Sequence, residues 1–278
     1  MWPKYVLIAF LCLSGVEVER GVPFAERGKE VLRMDLYAAE DVDAPWLVFA
    51  HGGGFSAGRR DVPQVVALAE GLAERGVSVA AISYRLRQVG VGFGCDVPVD
   101  DKREAIAWAA EDLGAACAAL THRGARWLAV GGSSAGAEAA LHWAVRQPVG
   151  AVVSFSGAVE PGGALHPPLF AFHGTCDAVV PFDESVHREC DRDAPGAFIL
   201  QGGGALQGCW EQAGSPAVVW AFEGAGHEVC NSAMLDEEAL DAVAEFILTA
   251  AYGGCMSSEF RSSGAPAPCS REPYFPCD

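Results

Sequence analysis

Apolar residues fall along this chain in two kinds of run. Short β-rich runs occupy 16–24, 31–38, 46–50, 77–84, 127–130, 151–155, 169–173 and 217–222. Several of them (WLVFA, WLAV, AVVSF, LFAF) are almost continuously apolar, as strands covered on both faces of a parallel sheet should be. Between them, residues 62–75, 100–120, 135–146 and 234–251 read as helices. Val65, Leu68, Ala69 and Leu72 form one stripe, Ile106, Ala109, Ala110 and Leu113 another, and Leu235, Leu240, Val243 and Ile247 a third. Gly76 stops the first helix, and Asp100 and Asp101 open the second where the helix dipole favours acids. Two leading extended runs followed by βαβα alternation predict an α/β fold. Its central sheet should be mostly parallel, of about eight strands, flanked by helices and antiparallel at one edge.

Composition narrows the function classes. The chain has 278 residues, 51% hydrophobic and 20% charged, enough for a large core in one domain. A net charge of −17 repels phosphate backbones, so no nucleic acid is expected as a partner. The longest apolar run, Tyr5–Leu13, falls short of the ~20 residues that cross a bilayer, and stable membrane insertion is not expected. Lys4 ahead of that run and Ser14-Gly15 behind it read as a signal peptide over 1–15; the alternative is a buried first strand. Ten cysteines point the same way, to secretion into an extracellular or periplasmic space. No C-x-x-C and no H-E-x-x-H occurs, so no metal is expected. The folded domain should span 16–252, followed by a Gly-, Ser-, Pro- and Cys-rich tail over 253–278.

The strongest chemical signal is Gly132-Ser133-Ser134-Ala135-Gly136, a G-x-S-x-G that ends an apolar strand and opens a helix. That setting lifts a serine oxygen clear of the backbone and aims helix N–H groups at developing negative charge. Ser133 is the poorer nucleophile, flanked by Gly131 and Ala135. The second signal is His51-Gly52-Gly53-Gly54 after WLVFA, where side-chain-free N–H groups of Gly53 and Gly54, with that of Ala135, can cradle an oxyanion. Gly52 to Ala57 also fits G-x-G-x-x-A, but the next strand ends in Ser83-Tyr84-Arg85 where a dinucleotide site needs an acid. No cofactor is expected.

HGGG, SYR, GGSSAG, HGTCDAVVP and GAGH, in that order, resemble the α/β-hydrolase superfamily, and most of all its carboxylesterase and lipase-like branch, from about Val31 to Ala251. The resemblance implies a Ser134, Asp177, His227 triad, with Asp183 and Glu184 competing for the acid's place and His173 and His187 for the base's. It implies acyl transfer to water through an acyl-enzyme, on a small or polymer-linked ester. Acetyl or feruloyl polysaccharide esterases and polyester depolymerases would share these residues; a non-catalytic binding protein would commonly lack one of the triad.

Finer expectations follow. The gap from Gly157 to Pro168 is too short for a lid, and nothing before HGGG forms a helical cap, so no large cap domain is expected. Cys176 and Cys230 flank the acid and base and are candidates for a disulfide between their loops, with Cys190–Cys209 among the alternatives. Phe55 and Trp210 are candidates for a substrate pocket or for ordinary core aromatics. A monomer or small homo-oligomer is expected.

Overall fold

The structure, a computed structural model, describes residues 16–264. The expected signal peptide at 1–15, and Cys269 and Cys277 of the expected tail, lie outside the described residues.

Two long antiparallel strands lead, β1 (Glu17–Arg27) and β2 (Glu30–Ala38). Then come β3 (Trp46–Ala50), α1 (Pro63–Glu74), β4 (Ser78–Ile82), α2 (Val99–His122), β5 (Leu128–Ser133), α3 (Ala135–Ala144), β6 (Ala151–Phe155) and β7 (Leu169–Gly174). An excursion of β8 (Glu184–Val186), β9 (Ile199–Gln201) and α4 (Gly203–Gln212) precedes β10 (Ala217–Phe222). The short α5 (Val229–Ser232), α6 (Glu237–Ala251) and β11 (Glu259–Ser263) complete the described chain.

The main sheet runs β1-β2-β4-β3-β5-β6-β7-β10-β11, antiparallel across β1, β2 and β4 and parallel from β4 onward. Strands β4, β6 and β7 are buried at every residue, as their unbroken apolar runs require. One apolar layer packs α2, α3 and α4 on one face; the other packs α1 and α6 on the opposite face. Pro63 opens α1 at the position where its missing N–H costs nothing. Asp236 caps α6 by accepting the Ala239 N–H at 2.9 Å, which starts that helix after Leu235 rather than before it.

The structure differs from the sequence reading at three places. The sheet has nine strands, because Glu259–Ser263, in the stretch read as tail, adds β11 parallel to β10. Gly203–Gln212, outside every run read as helix or strand, forms helix α4, anchored by Leu206 and Trp210 in the core. The β8–β9 hairpin carries only three residues per strand, too few for a period-two pattern to register. No helix among the described residues is long and apolar enough to cross a membrane.

Candidate active site

The carboxyl ends of β3, β4, β5, β7 and β10 open at one end of the sheet, and each sequence-predicted motif hangs from one of them. Ser134 sits between β5 and α3 with φ 50° and ψ −120°, and its N–H is held by the Phe155 carbonyl of β6 at 2.8 Å. A positive φ on a serine is strained and persists only where the surroundings impose it. Here the two glycines of the motif make it possible. A Cβ on Gly132 would lie 2.3 Å from the Gly136 backbone, and one on Gly136 only 2.1 Å from the Ala50 carbonyl oxygen.

Ser134 Oγ lies 2.8 Å from His227 Nε2, and His227 Nδ1 lies 2.7 Å from Asp177 Oδ2. With its Nδ1–H donated to the carboxylate, the imidazole turns the lone pair of Nε2 toward the serine hydroxyl. Asp177 Oδ1 accepts two backbone N–H groups, from Val179 and Val180, each at 2.9 Å. Burial pushes the Asp177 carboxyl up, but the imidazoles of His227 and His173 and their hydrogen bonds outweigh it and hold the group well below the usual carboxylate range. All three side chains are buried.

The competitors are engaged elsewhere. His173 Nε2 donates to the Val180 carbonyl at 3.0 Å and its Nδ1 accepts the Gly203 N–H, so it braces the acid loop. His187 lies edge-on to Phe93, 5.3 Å between ring centres. Asp183 and Glu184 are exposed, and Glu184 accepts from Gln201 at 2.7 Å. Ser133 is buried against Gly52.

The HGGG loop runs beside Ser134: a Cβ on Gly52 would come within 3.5 Å of Ser134 Cβ. Its shape rests on positive φ at Gly53 (118°) and Gly54 (59°) and on His51. Burial pushes His51 down to about 4, so the ring is neutral and its Nδ1–H donates to the Gly52 carbonyl at 2.7 Å. Tyr84, from the SYR motif, stacks on that ring at 4.5 Å and donates its hydroxyl to the His51 carbonyl. The loop is therefore fixed before any ligand arrives. The N–H of Ala135, in the first turn of α3, has no acceptor within its helix.

Phe55 and Trp210 are fully enclosed core side chains. Phe55 packs on Tyr84 and Phe93, while Trp210 donates its indole N–H to the Pro167 carbonyl at 2.6 Å. Cys176 and Cys230 are both disulfide-bonded. Cys190 pairs with Cys95, 95 residues earlier, rather than with Cys209, which is a free thiol. Among the described residues no group of His, Cys, Asp and Glu is arranged to hold a metal ion. Sequence reasoning passed over Glu138, the one acid inside the apolar face of α3, and Lys102, which α2 buries completely.

No family model matches the chain, and no curated protein matches it. Solved structures do. The apo form of esterase 2 from Thermogutta terrifontis superposes with a TM-score of 0.60 at 21% identity, over 88% of this chain and 97% of that one. The same esterase phosphoramylated by tabun gives 0.59 at 21%, over 84% and 94%. A dienelactone hydrolase from Anabaena variabilis gives 0.53 at 20%, over 85% and 96%. With its nine-stranded, mostly parallel sheet between two helical layers, the chain has the α/β-hydrolase fold.

Proposed function

We propose that this protein is a serine hydrolase of carboxylic esters, with Ser134 as nucleophile, His227 as general base and then acid, and Asp177 orienting the imidazole. The single observation that carries this reading is the hydrogen-bonded line from Ser134 through His227 to Asp177, 2.8 and 2.7 Å long, on a serine held at positive φ. His227 takes the serine proton as Oγ attacks the ester carbonyl, then delivers it to the departing alcohol. Water repeats the sequence on the acyl-enzyme. The N–H groups of Gly53, Gly54 and Ala135 stabilise the tetrahedral oxyanion, each donor worth ~3 kcal/mol in the transition state.

The structural neighbours support the same class: one is an esterase that tabun phosphoramylates, another a dienelactone hydrolase. The Cys95–Cys190 disulfide supports an oxidising destination, in keeping with secretion after loss of residues 1–15. Polysaccharide-decorating esterases and polyester depolymerases are sub-cases of this reading. The binding-protein alternative is disfavoured because all three triad residues are in hydrogen-bonding register.

The test is hydrolysis of p-nitrophenyl acetate, butyrate and octanoate, beside labelling by a fluorophosphonate probe. Turnover and labelling that both vanish in Ser134→Ala support the reading, and the chain-length profile bounds the acyl pocket. A folded protein that is neither active nor labelled would overturn it in favour of the binding protein.

A further inference from the structure

Of the five motifs along the chain, Ser83-Tyr84-Arg85 is the one that the proposed reaction does not use. It follows β4, whose carboxyl end lies at the same end of the sheet as those of β3 and β5. Its three side chains reach three different neighbours. Ser83 Oγ accepts from Arg60 Nη1 at 3.0 Å, and Arg60 Nε holds the buried Asp35 of β2 at 2.9 Å. Tyr84 donates its hydroxyl to the His51 carbonyl at 2.8 Å. Arg85 Nε spans both oxygens of the buried Asp112 of α2, at 3.1 and 2.8 Å. The tripeptide is thereby anchored on α2 and grips the HGGG loop at both ends, at His51 where the loop begins and at Arg60 where it leaves.

What the grip controls follows from the planarity of the peptide unit. In a trans peptide the C=O and the next N–H point in opposite directions, so a held carbonyl aims the N–H that follows it. None of the described peptide bonds is cis. Tyr84 holds the His51 carbonyl and so aims the Gly52 N–H. The Gly52 carbonyl accepts the His51 Nδ1–H at 2.7 Å, which aims the Gly53 N–H. The Gly53 carbonyl accepts the N–H groups of Ser56 and Ala57, each at 3.0 Å, and the Ser56 hydroxyl at 3.2 Å, which aims the Gly54 N–H. Three successive peptide planes are thus fixed by their carbonyls. Among the described residues neither the Gly53 N–H nor the Gly54 N–H has an acceptor.

The loop needs such holding. Phe55, next after the three glycines, sits at φ 58° without a glycine's freedom, a strained conformation that the surroundings must impose. A Cβ on Gly58 would lie 2.2 Å from the Gly52 carbonyl oxygen and 2.5 Å from His51 Nδ1, so the His51–Gly52 bond has room only because residue 58 lacks a side chain. Tyr84 acts on this loop twice. Its hydroxyl holds the His51 carbonyl, and its ring lies nearly parallel to the His51 ring, at 22° and 4.5 Å, so it also steadies the imidazole that holds the Gly52 carbonyl. Burial pushes the Tyr84 phenol up, which keeps it an O–H donor.

We propose that Tyr84 is a positioning residue of the oxyanion site, setting the direction of the Gly53 and Gly54 N–H groups through the carbonyl and ring of His51. The inference rests on the esterase reading above and adds a residue to it. Because Tyr84 acts through His51, its loss is felt where negative charge builds on the ester's carbonyl oxygen, in the transition state more than in the bound ester.

The experiment is Tyr84→Phe, which keeps the stacked ring and removes the hydroxyl. An oxyanion donor lost outright costs about 10²–10³ in kcat, and one kept but misdirected should cost roughly ten- to a hundredfold. On p-nitrophenyl butyrate kcat should fall by that factor while KM stays within about twofold of wild type. Butaneboronic acid, whose serine adduct puts an oxygen where the oxyanion forms, should weaken as an inhibitor in step with kcat; butyrate, a ground-state ligand, should not. A site merely loosened would lose both ligands alike. Ser83→Ala, which frees the loop where it leaves, should show the same pattern at smaller size and carries the test if Tyr84→Phe does not fold. Wild-type kcat in a folded Tyr84→Phe, or boronate and butyrate weakened equally, would overturn the positioning role and leave the esterase reading standing. A wild type with neither turnover nor fluorophosphonate labelling would overturn both.

Discussion

Asp177 and Glu138 are both buried carboxyls near the same serine, and their environments drive them in opposite directions. Asp177 accepts two backbone N–H groups on one oxygen and an imidazole N–H on the other, and is held well below the usual range. Glu138 has an oxygen with no hydrogen-bond partner among the described residues and is pushed up to about 8. Burial opposes ionisation in both. What separates them is the pair of imidazoles beside Asp177, His227 first, and their hydrogen bonds to its carboxylate. Asp177 is held as an anion against the His227 imidazole, Glu138 as a neutral acid.

The sharpest way to break this comparison is at the nucleophile. Ser134→Ala should lower kcat by three to six orders of magnitude, roughly the range seen when a triad serine is removed, with the circular dichroism spectrum unchanged. Residual Ser134-independent turnover near the wild-type rate would remove the triad from the comparison. Asp177→Asn should cost about 10⁴ in kcat, because the amide cannot hold the imidazole in the tautomer that accepts the serine proton. Glu138→Gln, which leaves the backbone bond to Ser134 in place, should fall far short of that loss, and equal losses would erase the distinction.

Replacing both Cys95 and Cys190 by Ser should destabilise the protein by ~2–4 kcal/mol in a denaturant titration, since the bridge closes a loop of 95 residues. Its effect should fall on the Glu138–His187 side, which the disulfide buttresses. Peptide mapping of the same protein under non-reducing conditions should find Cys176 and Cys230 linked, either to each other, as the sequence reading has it, or to other cysteines.

The smallest expected effect is on pH dependence. Glu138 titrates ordinarily at 4.5 and in the fold at about 8, so folding takes up a proton between those values. The stability it supports is complete below pH 4.5 and declines as pH rises to about 8. Melting temperatures of Glu138→Gln should therefore fall less from pH 5 to pH 8 than those of wild type. Equal slopes would mean that Glu138 is ionised throughout.

The triad motifs could be read from the sequence because each announces itself locally: glycines that allow a sharp turn, and an apolar strand that delivers it to one end of the sheet. Strands β3 to β7 were legible for the same reason, each resting on an almost continuously apolar run. The burial of Lys102 and Glu138 was not legible. Lys102, Glu138 and His187 come from three distant segments, and a lysine on a helix beginning Val-Asp-Asp-Lys reads as a solvent-facing charge until the fold buries it. Phe55 and Trp210 show the converse: their residue types could not distinguish a pocket wall from the core they occupy. Strand β11 was missed because Glu-Phe-Arg-Ser-Ser carries no buried face.

That strand has a consequence for how the molecule keeps to itself in concentrated solution. Were the sheet to end at β10, its outermost ladder would be Ala-Val-Val-Trp-Ala-Phe, six residues without charge or proline and an open template for another chain to extend. Strand β11 covers it and presents Glu259 and Arg261, paired at 2.8 Å, as the new border. At the far side β1 ends the sheet with Pro23 and two register irregularities among charged residues. Both rims are thus poor partners for strand addition, and truncation before Glu259 should convert a dispersed protein into one that aggregates.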